Sequence, residues 1–205
     1  EDGSRGSGLM HHKFVVIDRR SVLTGSANFT SSGIHGDAGA AQSRGNVNHL
    51  LRLESPELAE LFRREFLMMW GDGPGGMQNS RFGVKKRSGG VQQVMVGDTK
   101  VEVLFTPHKK NNGDHGLNWL EQLLKTAQTN IDMALFVFSA QQLSDALHTL
   151  AKDGVRLRLL GDPGFASRSF SELLDLLGVA LPDHNCMLEA GHQPSSKALP
   201  GIGTP

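Results

Sequence analysis

The chain has 205 residues, 38% of them apolar, and its 21 basic side chains balance 21 acidic ones. That length buries one sizeable core or two small ones, and the zero net charge excludes the whole-chain positive field of many dedicated nucleic-acid binders, leaving only local basic patches. A single cysteine, Cys186, excludes an internal disulfide and a cysteine-rich zinc site and reads as a small buried hydrophobe, and no apolar run approaches the roughly 18 residues of a membrane-spanning helix.

The chain opens at Glu1 in a Gly/Ser-rich stretch, residues 2–8, and stops at Gly203-Thr204-Pro205, so it is expected to be a piece of a longer protein. Two β-rich runs follow, Leu9 to Asp18 and Ser21 to Ser26, separated by Arg19-Arg20 at hairpin spacing. A third strand is expected over His49 to Leu53. Ser55-Pro56-Glu57 then carries a helix start, with an N-cap, a proline at the first helical position and an acid in the first turn. Leu58, Leu61, Phe62, Phe66 and Met69 recur at helical spacing and predict a buried face, ended by Gly71.

Residues 71–98 are glycine-rich, with the basic run Lys85-Lys86-Arg87, and read as a linker in which those charges are solvated. Beyond it, strand and helix alternate. Val101 to Phe105 is a predicted strand, Pro107 to Gly116 a polar loop, Leu117 to Leu124 a helical stripe, and Ile131 to Phe138 an apolar run suited to a strand buried on both faces. Ser139 and Gln142 make a capping-box pattern for a helix burying Leu143, Ala146, Leu147 and Leu150, with Gly154 at its end. Val155 to Leu160 and Ser171 to Leu177 supply the next strand and helix. The expected fold class is therefore α/β, a mixed, largely parallel sheet flanked by helices on both faces.

The chemistry sits at the start. His11-x-Lys13 is followed by Asp18, and six residues later by Gly25-Ser26-Ala27-Asn28. Alternation along a strand puts His11 and Lys13 on one face and His12 with Phe14 on the other, so an imidazole stands beside a fixed positive charge while His12 reads as a packed back-face side chain. An anionic phosphodiester would be drawn to Lys13, and the imidazole could attack phosphorus. Asp18, at the strand end, suits orientation better than attack, and Ser26 and Asn28 offer hydrogen-bonding groups for phosphate or imidazole. His108-Lys109-Lys110 repeats the His-x-Lys spacing but has His115 where Asp belongs, and is set aside. His35, His49, His148, His184 and His192 have no partner at metal-ligand spacing and read as surface or satisfied histidines.

The His11, Lys13, Asp18 spacing with Gly25-Ser26-x-Asn28 resembles the His-Lys-Asp motif of the phospholipase D superfamily. That resemblance implies a catalytic set of His11, Lys13 and Asp18, substrate binding by Ser26 and Asn28, no metal and no cofactor. It also implies a second such motif meeting the first across a twofold or pseudo-twofold axis, with one histidine phosphorylated and the other acting as acid and base. Leu123 to Phe138 is similar to the helix and strand that open such repeats. The expected organisation is thus 1–70 as the closing portion of one repeat, 71–98 as linker and 99–205 as the opening portion of the next, or the two portions together as one permuted repeat. The expected function is metal-independent phosphodiester hydrolysis through a phosphohistidine, with nuclease slightly ahead of phospholipase. The second motif comes from a homodimer partner or from residues beyond the fragment. Phosphatidyl transfer and a noncatalytic phosphate-binding half-module are the alternatives.

Overall fold

The structure, a computed structural model, describes residues 9–36, 39, 45–87, 89–107, 116–182, 184–188 and 198–204. The opening stretch 2–8, the His108-Lys109-Lys110 and His115 positions and His192 lie outside them. The chain forms two compact units, residues 1–112 and 113–205.

In the first unit, β1 (Phe14–Ile17), β2 (Ser21–Gly25) and β3 (Leu50–Glu54) form an antiparallel sheet in that order. Phe14 pairs with Thr24 and Val22 with Leu53, which sets Phe14, Val16, Val22 and Leu53 on one face. The short α1 (Ser31–Ile34), capped by Thr30, lies between β2 and β3. Helix α2 (Pro56–Trp70) covers the apolar face. It begins as its sequence predicts, with Ser55 Oγ accepting from the Leu58 amide at 3.1 Å and Pro56 in the first turn. Leu58, Ala59 and Phe62 pack on Val22, so the sheet and helix share one core.

Residues 92–103 depart from the expectation. Gln92–Val96 (β4), placed within the linker by sequence, pairs antiparallel with Thr99–Val103 (β5), a strand assigned to the second segment. Val94, Val96, Val101 and Val103 alternate along the two strands and pack on the α2 core with Phe105, which ties the hairpin to the first unit. A single 3₁₀ turn, Gly83–Lys85, precedes it.

The second unit holds α3 (Gly116–Leu124), β6 (Asn130–Leu135), α4 (Gln141–Lys152), β7 (Arg156–Gly161), α5 (Pro163–Ala166), α6 (Glu172–Leu176) and β8 (Ile202–Gly203). Its sheet is parallel, in the order β6, β7, β8, and its core gathers Phe138, Leu147, Leu150, Leu157, Leu159 and Leu176. Helix α4 starts at Gln141 with Ala140 at its N-cap, so the expected Ser139–Gln142 box does not form. Cys186 is exposed rather than buried.

The α/β content stands, but the sheet is not largely parallel: three of the five strand pairings among the described residues are antiparallel, because short turns join β1 to β2 and β4 to β5. Nor do helices cover both faces. Leu157, Leu159 and Gly161 are buried on β7 while Arg156, Arg158 and Leu160 between them are exposed. Among the described residues, β1–β3 and β4–β5 form the sheets of the first unit and β6–β8 that of the second.

Candidate active site

The β1–β2 ladder ends at the Phe14–Thr24 pair, so His11 and Lys13 leave the sheet at the end where β2 runs into Gly25 and Ser26. His11 is exposed. Lys13 is half-buried, and its Nζ donates to the His11 main-chain oxygen at 2.8 Å. His12 takes the core side, as alternation demands. Its ring meets Phe14 and Phe105 edge-on at 5.5 and 6.0 Å, and its Nε2 lies 3.1 Å from Glu65 Oε1.

Ser26 is fixed from the neighbouring strand. Its amide donates to His49 O at 3.1 Å, its hydroxyl donates to Asn48 Oδ1 at 2.9 Å and accepts from the His49 amide at 3.1 Å, and the His49 Nδ1 lies 3.4 Å away. Asn48 in turn donates to the main-chain oxygens of Gly33 and Asn46, both at 3.2 Å. Gly25 is required by this closeness: a Cβ there would sit 2.1 Å from His49 O. Asn28 is exposed, and its carbonyl accepts from the Thr30 amide at 2.9 Å where α1 begins. The Ser26 hydroxyl, the Asn48 amide and the His49 imidazole thus meet where β2 leaves the sheet.

Asp18 is not brought to that end. It occupies the β1–β2 turn, about 13 Å along the strand from Phe14 at about 3.3 Å per residue. With Arg19 it has positive φ, 51° and 56°, and the Arg20 amide donates to Ile17 O at 2.9 Å. Both central residues in that region are the mark of a hairpin-closing turn of the primed kind, and Asp is among the few residues that adopt it readily. Asp18 thus takes part in the turn, at the other end of β1 from His11 and Lys13.

Four neighbours of the site escape a motif search. Asn48 and His49 act through Ser26. Glu65 is only 4% exposed and falls on the Leu58, Phe62, Met69 stripe of α2, where an apolar residue is the rule. A carboxylate at a core position of an amphipathic helix is the signal that could have flagged it. The fourth is Lys86, read as a solvated charge in a basic run but only 5% exposed; its Nζ bonds Glu65 Oε1 and donates to Thr106 O at 2.7 Å. Burial pushes the Glu65 carboxyl up, but the hydrogen bonds from His12 and Lys86 and the Lys86 charge outweigh it and hold the group below its ordinary value. Phe66, expected in the buried face, is instead 44% exposed and stacks on Trp70, 49% exposed, with ring centroids 5.4 Å apart. A cleft lined by Trp70, Gly73, Pro74, Met77 and Ser80 lies at this end of α2 and carries no titratable side chain.

A family model described as cardiolipin synthase, PLD-like domain, matches residues 2–70, which hold His11, Lys13, Ser26 and Asn28. Residues 2–70 are thus similar to the phospholipase D superfamily. Among curated phospholipase D-type relatives, a mitochondrial cardiolipin hydrolase from Danio rerio is 39% identical over 61 residues, 30% of this chain and 23% of that protein. A phospholipase D from Rickettsia felis is 37% identical over 60 residues, 29% of this chain and 26% of the relative. Cardiolipin synthase B from Shigella flexneri is 22% identical over 156 residues, 75% of this chain and 36% of its own length. The chain therefore spans about a quarter of the length of the first curated relatives it matches. No solved structure matches it.

Proposed function

We propose that the first unit carries one half of a phospholipase D-type active site and that the completed site hydrolyses phosphodiesters through a phosphohistidine. What supports the reading is that the chain carrying His11 and Lys13 leaves β1 at the end where β2 runs into Gly25 and Ser26, with Lys13 Nζ against His11 O. Lys13 leaves its contact with His11 O and neutralises a phosphoryl oxygen. The lone pair of the His11 ring nitrogen forms the P–N bond as the P–O bond to the leaving alcohol breaks, and a second histidine protonates that oxygen. The same second group then takes a proton from water, whose oxygen attacks phosphorus and releases His11. Ser26 and Asn28 face the phosphoryl oxygens. Asp18 stays in its turn, and the route needs no metal.

Three relatives with names built on cardiolipin or phospholipase D support a phospholipid over a nucleic acid as the phosphodiester, a change of emphasis from the sequence alone. Phe66, Leu67 and Trp70 are exposed and offer an apolar surface suited to lipid. The second histidine is supplied by another copy of the chain or by sequence outside it. The match to cardiolipin synthase B runs over both units and fits an arrangement in which residues 99–205 open a further repeat.

Hydrolysis of bis(p-nitrophenyl) phosphate in excess EDTA tests the chemistry, with anionic phospholipid vesicles and single-stranded DNA as competing substrates. Turnover of vesicle lipid that EDTA spares and His11→Ala abolishes supports the reading. EDTA-sensitive turnover, or turnover unchanged in His11→Ala, refutes it, and preference for DNA overturns the lipid assignment.

A further inference from the structure

Lys86 and Glu65 form a buried ion pair that no motif contains, 21 residues apart in sequence and joined across the core of the first unit. An isolated buried charge is costly and a pair is only marginally favourable, so retention of both inside a core asks what they hold. Glu65 Oε1 also takes His12 Nε2, and Lys86 also takes Thr106 O, one residue from Phe105. Phe105 meets His12 edge-on and packs on Phe62 at 5.1 Å. His12 is thereby gripped by a carboxylate and by the rings of Phe14 and Phe105. It lies between His11 and Lys13, in a stretch that has already left the β1 ladder and has no strand pairing of its own.

We infer that Glu65 and Lys86 are positioning residues for the proposed phosphodiester site, acting through His12 to fix the backbone that carries His11 and Lys13. The inference rests on the functional reading above for its consequence, but not for its geometry. Neither side chain is open to substrate, being 5% exposed for Lys86 and 4% for Glu65. A fixed His12 side chain on the inner face leaves its neighbours with one direction to point, outward and side by side, as the two groups must stand to engage one phosphate.

The test uses the full chain. Glu65→Gln alone strands Lys86 and risks unfolding, so the principal variant is Glu65→Leu combined with Lys86→Met, which replaces the pair by apolar side chains of similar volume. Backbone order parameters for His11, His12 and Lys13 are read by ¹⁵N relaxation, and tungstate, as a phosphate analogue, is titrated into the same samples. With the melting temperature retained, order parameters of the three residues are expected to fall from about 0.85 toward 0.6, with β3 unchanged, and tungstate affinity to fall about tenfold. His12→Asn is expected to weaken tungstate by a similar factor, and adding it to the double variant to cost nothing further, because both act at one contact. Unchanged order at residues 11–13, or loss spread evenly over β1 to β3, overturns the inference. So does additivity with His12→Asn. Failure of the wild-type chain to bind tungstate refutes the phosphate site instead, and the relaxation data still decide the positioning.

Discussion

Replacing Glu65 by Gln keeps the shape and the hydrogen-bonding reach of the side chain but leaves Lys86, 5% exposed, with its positive charge buried and unpaired. Its other partner, Thr106 O, is a neutral carbonyl and does not offset a full charge. Removing one member of a buried ion pair costs about 3–5 kcal/mol. At about 4–8 °C per kcal/mol for a domain near 100 residues, the melting transition of the first unit is expected to drop by about 12 °C or more. Thermal unfolding followed by circular dichroism measures this directly. The companion variant carrying Lys86→Met as well removes the stranded charge and is expected to recover most of the loss. A fall of less than about 1 kcal/mol for Glu65→Gln, or no recovery in the pair, would refute the claim that the two charges depend on each other inside the core.

Glu65 is held below its ordinary pKa in the folded chain, so its contribution is fully present above about pH 4.5 and is lost as pH falls through the lowered folded value; acid titration of stability should show that loss vanish in the Glu65→Leu, Lys86→Met variant. Gly25→Ala places a Cβ 2.1 Å from His49 O and should cost about 1–3 kcal/mol by forcing β2 and β3 apart, seen in denaturant unfolding with loss of the Ser26–His49 contacts. Asp18→Val puts a β-branched side chain at φ 51° and should cost about 1–3 kcal/mol, whereas Asp18→Asn keeps the turn, and neither should change tungstate affinity in chains still folded.

Much of the first unit was legible in sequence because its signals are local. Ser55-Pro56 set the start of α2 within one residue, and the Arg19-Arg20 interruption marked the β1–β2 turn. The hairpin of β4 and β5 was not, since Val94 and Val96 are only two apolar positions in a glycine-rich stretch and acquire meaning by packing on α2. The site divides in the same way. His11, Lys13, Ser26 and Asn28 flank one hairpin at fixed spacing, a local pattern that the sequence displays directly. The contacts of Ser26 with Asn48 and His49, 22 and 23 residues on, and the partnership of Glu65 with Lys86 are long-range pairings that no local pattern encodes. Asp18 belongs to the same motif by spacing, while strand length places it in the turn at the far end of β1. Phe66 was assigned to the buried face because it is apolar and near the right phase, while the stripe itself passes through Glu65.

The most direct test of the central claim is a tungstate titration of the wild-type chain beside His11→Ala, Lys13→Ala and Asp18→Asn, followed by calorimetry. One anion per chain is expected, with loss of binding in the first two variants and unchanged affinity in the third. Affinity that survives both His11→Ala and Lys13→Ala, or that is absent from the wild type, would contradict it.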